Sequence, residues 1–188
     1  AIRRVAGHDF KQIKLYFMIG LPTESDEDVL AIIKMAQTAK ALVDANRSGT
    51  HLTLNVTPFV PKAGTPFQWL PMARAGVLKH RLALLRKNLR PKGIEVKADS
   101  IGWSLVQGML ARGDERLGKV IENMGGISLT AWQKALNKTG IDPESIHRKI
   151  PFDSTLPWSR IDSGTSLEKL QSEMEKALPD KSYESGGT

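Results

Sequence analysis

Two short stretches carry the residue types that could bind a ligand. The first is MIGLPTES, residues 18–25, where an apolar run stops at a glycine and turns through a proline. Glycine at the end of a parallel strand lets a ligand approach the backbone, and parallel sheets hold ligands beyond the carboxyl ends of their strands. The competing reading is a tight strand-to-helix turn in which Gly20 and Pro22 serve geometry alone. The second stretch is NVTPFVPKAGTPF, residues 55–67, which follows another strand-like run. If the two strands are parallel, both loops lie at one sheet edge. Phe59 and Val60 would then line an apolar slot of adenine size, or form a hydrophobic plug, and one loop can do both.

Three other patterns have weaker chemistry. Residues 71–100 carry eight basic and two acidic side chains, six of the seven net positive charges of the chain. Arg86, Lys87 and Arg90, with Arg74, Lys79, Arg81 and Lys92, could track a phosphate backbone. They could equally be a solvated helix face, and the stretch lacks the aromatic side chains that stack on single strands. LARGDERLG, residues 110–118, reads as a corner between two helices, with Gly113 ending one and Asp114 capping the next. A catalytic Arg112 or Asp114 is the other reading. The four histidines, at 8, 51, 80 and 147, are scattered, with no i,i+4 pair, so no metal site or nucleophile–base pair is expected.

The elements that must position these residues follow from periodicity. Leu15–Ile19 is a short apolar run bounded by a turn, a strand expected to be covered on both faces. Ser25 is the expected cap of a helix reaching about Asn46, with Asp28 as an acidic variant of a capping box and Val29, Ile32, Ile33, Ala36, Ala39 and Val43 inward. Leu52, Leu54 and Val56 alternate within a second strand, residues 51–59. Together these make a βαβ unit. The stretch 58–71 has four prolines, yet it holds Phe59, Val60, Phe67, Trp69 and Leu70, so it should pack over something. A helix over about 73–89 turns Val77, Leu78, Leu82, Leu85 and Leu89 inward and its basic residues outward. Pro91 and Gly93 end it before a short strand, IEVKA. Short helices follow, and Gly140 stands where a helix C-terminus favours glycine. A loop with prolines and aromatics, IPFDSTLPWSRIDSG, precedes a last amphipathic helix. The expected domains are 1–98, mixed α/β, and 99–180, mostly helical, with 181–188 a disordered tail.

Composition bounds the class. The chain has 188 residues, 40% hydrophobic and 25% charged, with no apolar run long enough to span a membrane as a helix. It has no cysteine, which excludes disulfides and thiolate metal ligation within these residues and agrees with a cytoplasmic protein. The start, AIRRVAGHDF, reads as the middle of a helix, so the chain is expected to be a piece of a longer protein.

Taken together, KLYFMIGLPTESDEDV and LNVTPFVPKAGTPFQW resemble the last two strand regions of radical S-adenosylmethionine enzymes, closest to an uncharacterised subfamily of the cobalamin-binding type. The later segments LARGDERLGKVIE and LPWSRIDSG extend the resemblance over about residues 10–178. It implies a partial (βα)6 TIM-like barrel, of which this chain supplies the last strands, followed by a mostly helical extension. It also implies a 4Fe-4S cluster on three cysteines, S-adenosylmethionine bound to that cluster, and reductive cleavage to a 5′-deoxyadenosyl radical, and it leaves cobalamin open as a further cofactor. The residues carried over are Ile19, Gly20, Leu21 and Pro22 beside the adenine, and Asn55, Phe59 and Val60 closing the pocket. The cluster cysteines would lie in an N-terminal part of the same protein. No residue of this chain is expected to do redox chemistry or hold a metal. The rival expectation is an RNA-binding or structural interaction module built on residues 71–100, using Arg86, Lys87 and Arg90.

Overall fold

A computed structural model of the chain describes residues 2–8, 10–46, 49–162 and 164–178. The tail expected over 181–188 lies outside the described residues. In chain order the elements are α1 (Ile2–Ala6), β1 (Gln12–Ile19), α2 (Asp26–Ala45), β2 (His51–Pro58), α3 (Ala75–Leu89), β3 (Glu95–Ala98), α4 (Ile101–Arg112), α5 (Leu117–Glu122), α6 (Leu129–Thr139) and α7 (Leu167–Ala177). Short 3-10 turns occupy Arg90–Lys92 and Pro143–His147. The chain divides into two compact units, Ala1–Phe59 with Ala75–Asp99, and Val60–Arg74 with the residues from Ser100 onward.

The first unit holds the sheet. Its three strands are all parallel, in the order β1-β2-β3. Leu52, Leu54 and Val56 of β2 are buried together with Val96 of β3, and so are Val29, Ile33, Ala36, Ala39 and Val43 of α2 and Leu78, Leu82, Leu85 and Leu89 of α3. The 3.6-residue spacing of these helical positions puts them on one stripe, and burying that stripe against the apolar sheet face drives this unit together. Ser25 caps α2 as its sequence predicts. The Ser25 side chain accepts from Asp28 N, and the Asp28 carboxylate accepts from Ser25 N at 2.8 Å. That hydrogen bond, donated by the Ser25 backbone, lowers the Asp28 pKa.

Two expectations are corrected here. The described strands do not form part of a TIM-like barrel. Among the described residues the sheet is small and open, because β1 and β3 each pair with β2 alone. Closure needs enough tilted strands for the outer two to meet, and three cannot supply it. The strand expected to be covered on both faces is covered on one. Its residues alternate, and Tyr16 and Met18 remain 72% and 45% exposed. A run of apolar residues cannot distinguish a twice-covered strand from an edge strand with one open face.

The second unit contains no strand among its described residues. The proline-rich stretch after β2 supplies Trp69 and Leu70 to a core shared with Leu156, Leu170, Met174 and Leu178. Trp69 meets Phe152 edge-on, with centroids 5.1 Å apart. Gln68 fastens this stretch further, since its Oε1 accepts from Gly64 N at 3.0 Å and from Trp158 Nε1 at 2.7 Å. Gly140 ends α6 at φ 66°. Val77, expected inward, is 40% exposed, whereas Arg81, counted with the outward charges, is buried.

Candidate functional site

The carboxyl ends of β1 and β2 are level. Ile19 is the register partner of Pro58, and Phe59 N donates to Ile19 O at 2.8 Å. This brings Ile19, Gly20, Leu21, Pro22 and Phe59 to one edge of the sheet. Ile19, Gly20 and Phe59 are buried there, while Leu21 and Pro22 are half-buried. Val60 is not among them. It belongs to the second unit, where its side chain and Met72 lie beside Gly108.

Glu24 organises the turn that follows β1. Its carboxylate accepts from Gly20 N at 2.6 Å and from Arg81 Nη1 at 2.5 Å, and Arg81 Nη2 also donates to the Glu24 carbonyl. Both side chains are nearly shut off from water, at 6% and 9% exposure. Burial holds the Glu24 pKa above the ordinary value, against the lowering effect of the Gly20 N–H and the Arg81 charge. Within the turn, Glu24 N donates to Leu21 O at 3.1 Å, with Pro22 second and Thr23 third. Thr23 has φ 68°, the left-handed conformation that the third position of a type II turn requires and that glycine adopts most readily. Gly20 itself has φ 81°. The Gly20, Glu24 and Phe59 N–H groups of this edge thus have partners within the chain. What it offers a ligand is shape and the apolar surface of half-buried Leu21 and Pro22, with Phe59 buried beside them.

The uncovered face of the sheet is polar. Gln12, Thr53 and Glu95 form a hydrogen-bonded row across all three strands, and Thr57 Oγ1 donates to Asp99 Oδ2 at 2.9 Å near the carboxyl edge. Between them lies a row in register, Tyr16, Asn55 and Lys97. Asn55 is half-buried, and its neighbours Tyr16 and Lys97 are exposed. Only Asn55 was singled out from the sequence. Period-two alternation from Asn55 would also have found Thr57. Tyr16 and Lys97 join it through cross-strand register, which no single strand encodes.

The basic stretch is divided by the fold. Arg81 is taken by Glu24, and Arg74 pairs with Glu144 in the second unit. Arg86 is half-buried, with its Nε shielded from water and lacking an acceptor. Lys79, Lys87, Arg90 and Lys92 are exposed. Among the described residues, no group of three or more histidine, aspartate, glutamate or cysteine side chains is placed to hold a metal ion. With no cysteine in the chain, the residues present do not fit an iron–sulfur cluster. No described helix is long and apolar enough to cross a membrane.

Comparisons with known proteins add one relative. Over 112 residues the chain is 31% identical to a protein of Methanocaldococcus jannaschii described as uncharacterized, a match covering 60% of this chain and 23% of that protein. The chain thus spans about a quarter of the length of the relative it matches. No family model matches the chain, and no solved structure matches it.

Proposed function

We propose that this chain is the carboxyl-terminal portion of a cytoplasmic radical S-adenosylmethionine oxidoreductase, and that it supplies the adenine-side wall of the cofactor pocket. The observation that carries the reading is the level ending of two parallel strands, which sets the Gly20–Pro22 turn beside Phe59. Ligands of parallel sheets sit at that edge. An adenine ring needs an apolar contact, and half-buried Leu21 and Pro22 supply one, backed by the buried Phe59. Asn55, on the open face, is the side-chain amide nearest in register to that edge. The wall orients the nucleoside. The iron–sulfur cluster, held by a segment outside this chain, would supply the electron, and none of the residues here takes part in redox chemistry.

The test has two parts. After anaerobic reconstitution the isolated chain should retain no stoichiometric iron, because it has no thiolate ligands. In the longer polypeptide, Leu21→Ala should keep its iron while S-adenosylmethionine binding weakens roughly tenfold, about 1.4 kcal/mol. Tightly held iron in the isolated chain, or unchanged cofactor affinity in Leu21→Ala, would count against the assignment. A second reading, RNA binding, rests on exposed Lys79, Lys87, Arg90 and Lys92. A steep fall of RNA affinity with salt would favour it.

A further inference from the structure

Trp132 is a buried side chain with a donor to spare. It lies on the inward stripe of α6 with Ala135 and Leu136, one turn past the Ser128 cap, and is 5% exposed. Its indole N–H has no acceptor among the described residues, and unlike that of Trp69 it is not sealed from the surface. A buried indole N–H ordinarily finds a partner, because an unmet one loses its hydration for nothing in return. His147 presents the complementary group. Met72 anchors its turn twice. The Met72 N–H donates to Ile146 O at 2.8 Å, and the Met72 carbonyl lies 2.8 Å from His147 Nδ1. A carbonyl only accepts, so Nδ1 carries the proton and the neutral ring keeps its lone pair on Nε2. His147 is half-buried, and its Nε2 has no partner among the described residues and is not sealed either.

Both side chains line one cavity of about 260 Å³, formed by α4, α6 and the Pro143–His147 turn. Its other walls are largely apolar, with Leu105, Val106, Met109, Leu136 and Ile146 among them. The carboxylate among the lining residues is that of Glu144, which is exposed and paired with Arg74. All of these residues belong to the second unit, so the cavity shares none with the proposed cofactor wall. One donor and one acceptor in an apolar chamber select for a group that does both. A hydroxyl accepts and donates through one oxygen. An amine would leave the indole N–H unmet, a carboxylate would leave Nε2 unmet and meet Glu144, and a primary amide would bring more polar atoms than these two groups can pair. A phenolic O–H is more acidic than that of an alcohol, which makes it the stronger donor to an imidazole, and its ring suits the apolar walls.

We infer that this cavity binds a small neutral phenol, its oxygen accepting from the Trp132 indole N–H and its O–H donating to His147 Nε2. The two side chains recognise the hydroxyl, and the apolar walls hold the ring.

The test uses phenol as the probe on the 188-residue chain, and nitrogen-15 NMR follows the indole N–H resonances of its four tryptophans. Phenol should move the Trp132 resonance downfield in a saturable way, with a Kd on the order of a millimolar, well inside the efficiency limit for a ligand of about seven non-hydrogen atoms. Toluene puts a methyl group where phenol has its hydroxyl. Anisole keeps an acceptor oxygen and lacks the proton. Each should bind at least about fivefold more weakly than phenol, the worth of a hydrogen bond lost in a buried site. Trp132→Phe should remove the advantage of phenol over toluene. His147→Asn, whose amide can still donate to Met72 O but has no lone pair at the Nε2 position, should bind phenol and anisole alike. The inference is overturned by a Trp132 resonance that stays still as phenol is added, by toluene or anisole matching phenol, or by a folded His147→Asn that keeps the parent's preference for phenol over anisole. If either variant does not fold, the comparison of the three ligands on the parent decides alone.

Discussion

Replacing Arg81 by methionine should disable the turn that carries the candidate site. The change removes the guanidinium from a carboxylate that is 6% exposed, and leaves Glu24 with the Gly20 N–H as its remaining partner. Removing one member of a buried ion pair costs about 3–5 kcal/mol, because the other charge stays buried and uncompensated. A domain with a margin of about 5–15 kcal/mol loses a large share of it. At an m-value of about 1.5 kcal/mol/M, the urea midpoint of the first unit should fall by roughly 2–3 M. The sign of the pH dependence follows from Glu24. Its folded-state pKa is raised above 4.5 by burial, and losing Arg81 raises it further. A carboxyl raised in the folded state contributes most stability below its unfolded value, and that contribution is lost as pH rises through the folded value. The penalty of Arg81→Met should therefore be largest near neutral pH, shrink as pH falls through the raised folded-state values, and be least below about 4.5, where Glu24 is protonated in both proteins. Urea melts followed by far-ultraviolet circular dichroism at pH 7 and pH 4 measure both quantities. A midpoint shift under about 0.5 M at pH 7, or a penalty that grows on acidification, would refute the argument.

Thr23→Gly should stabilise the protein by up to about 1 kcal/mol, since Thr23 sits at φ 68° where a β-carbon is strained; an unchanged or lower melting temperature would contradict this. Gly20→Val should destabilise it by at least about 1 kcal/mol for the same reason, at φ 81°, whatever it does to ligand binding, and a thermal melt without ligand separates the two effects. RNA binding by the chain at physiological salt should be no tighter than about 10⁻⁴–10⁻⁶ M by fluorescence anisotropy. A sub-micromolar affinity abolished by changing Arg86, Lys87 and Arg90 together to Glu would promote the nucleic-acid reading. Ser25→Ala should cost about 1 kcal/mol in the same urea melts, through loss of the α2 cap.

What the sequence determined by itself is local. Ser25 and Asp28 are three positions apart, so their reciprocal hydrogen bonds could be read before any tertiary contact existed. The stripe from Val29 to Val43 and the alternation of Leu52, Leu54 and Val56 name a helix and a strand for the same reason: the period is written in consecutive residues. Gly140 at φ 66° is likewise a one-residue requirement. What tertiary structure decided is how these pieces meet. Arg81 looks like any other charge on a basic helix, and only the approach of Glu24 from 57 positions away turns it inward. Arg112 looks like a surface residue at a helix corner until the carbonyls of Ile146 and Arg148 come to lie over it. The barrel expectation failed at the same boundary. Residues specify whether a segment is a strand, but closure depends on how many strands pair and at what tilt, and β1 and β3 each have one neighbour. Pairing and charge burial are properties of distant segments brought together, and no window along one segment contains them.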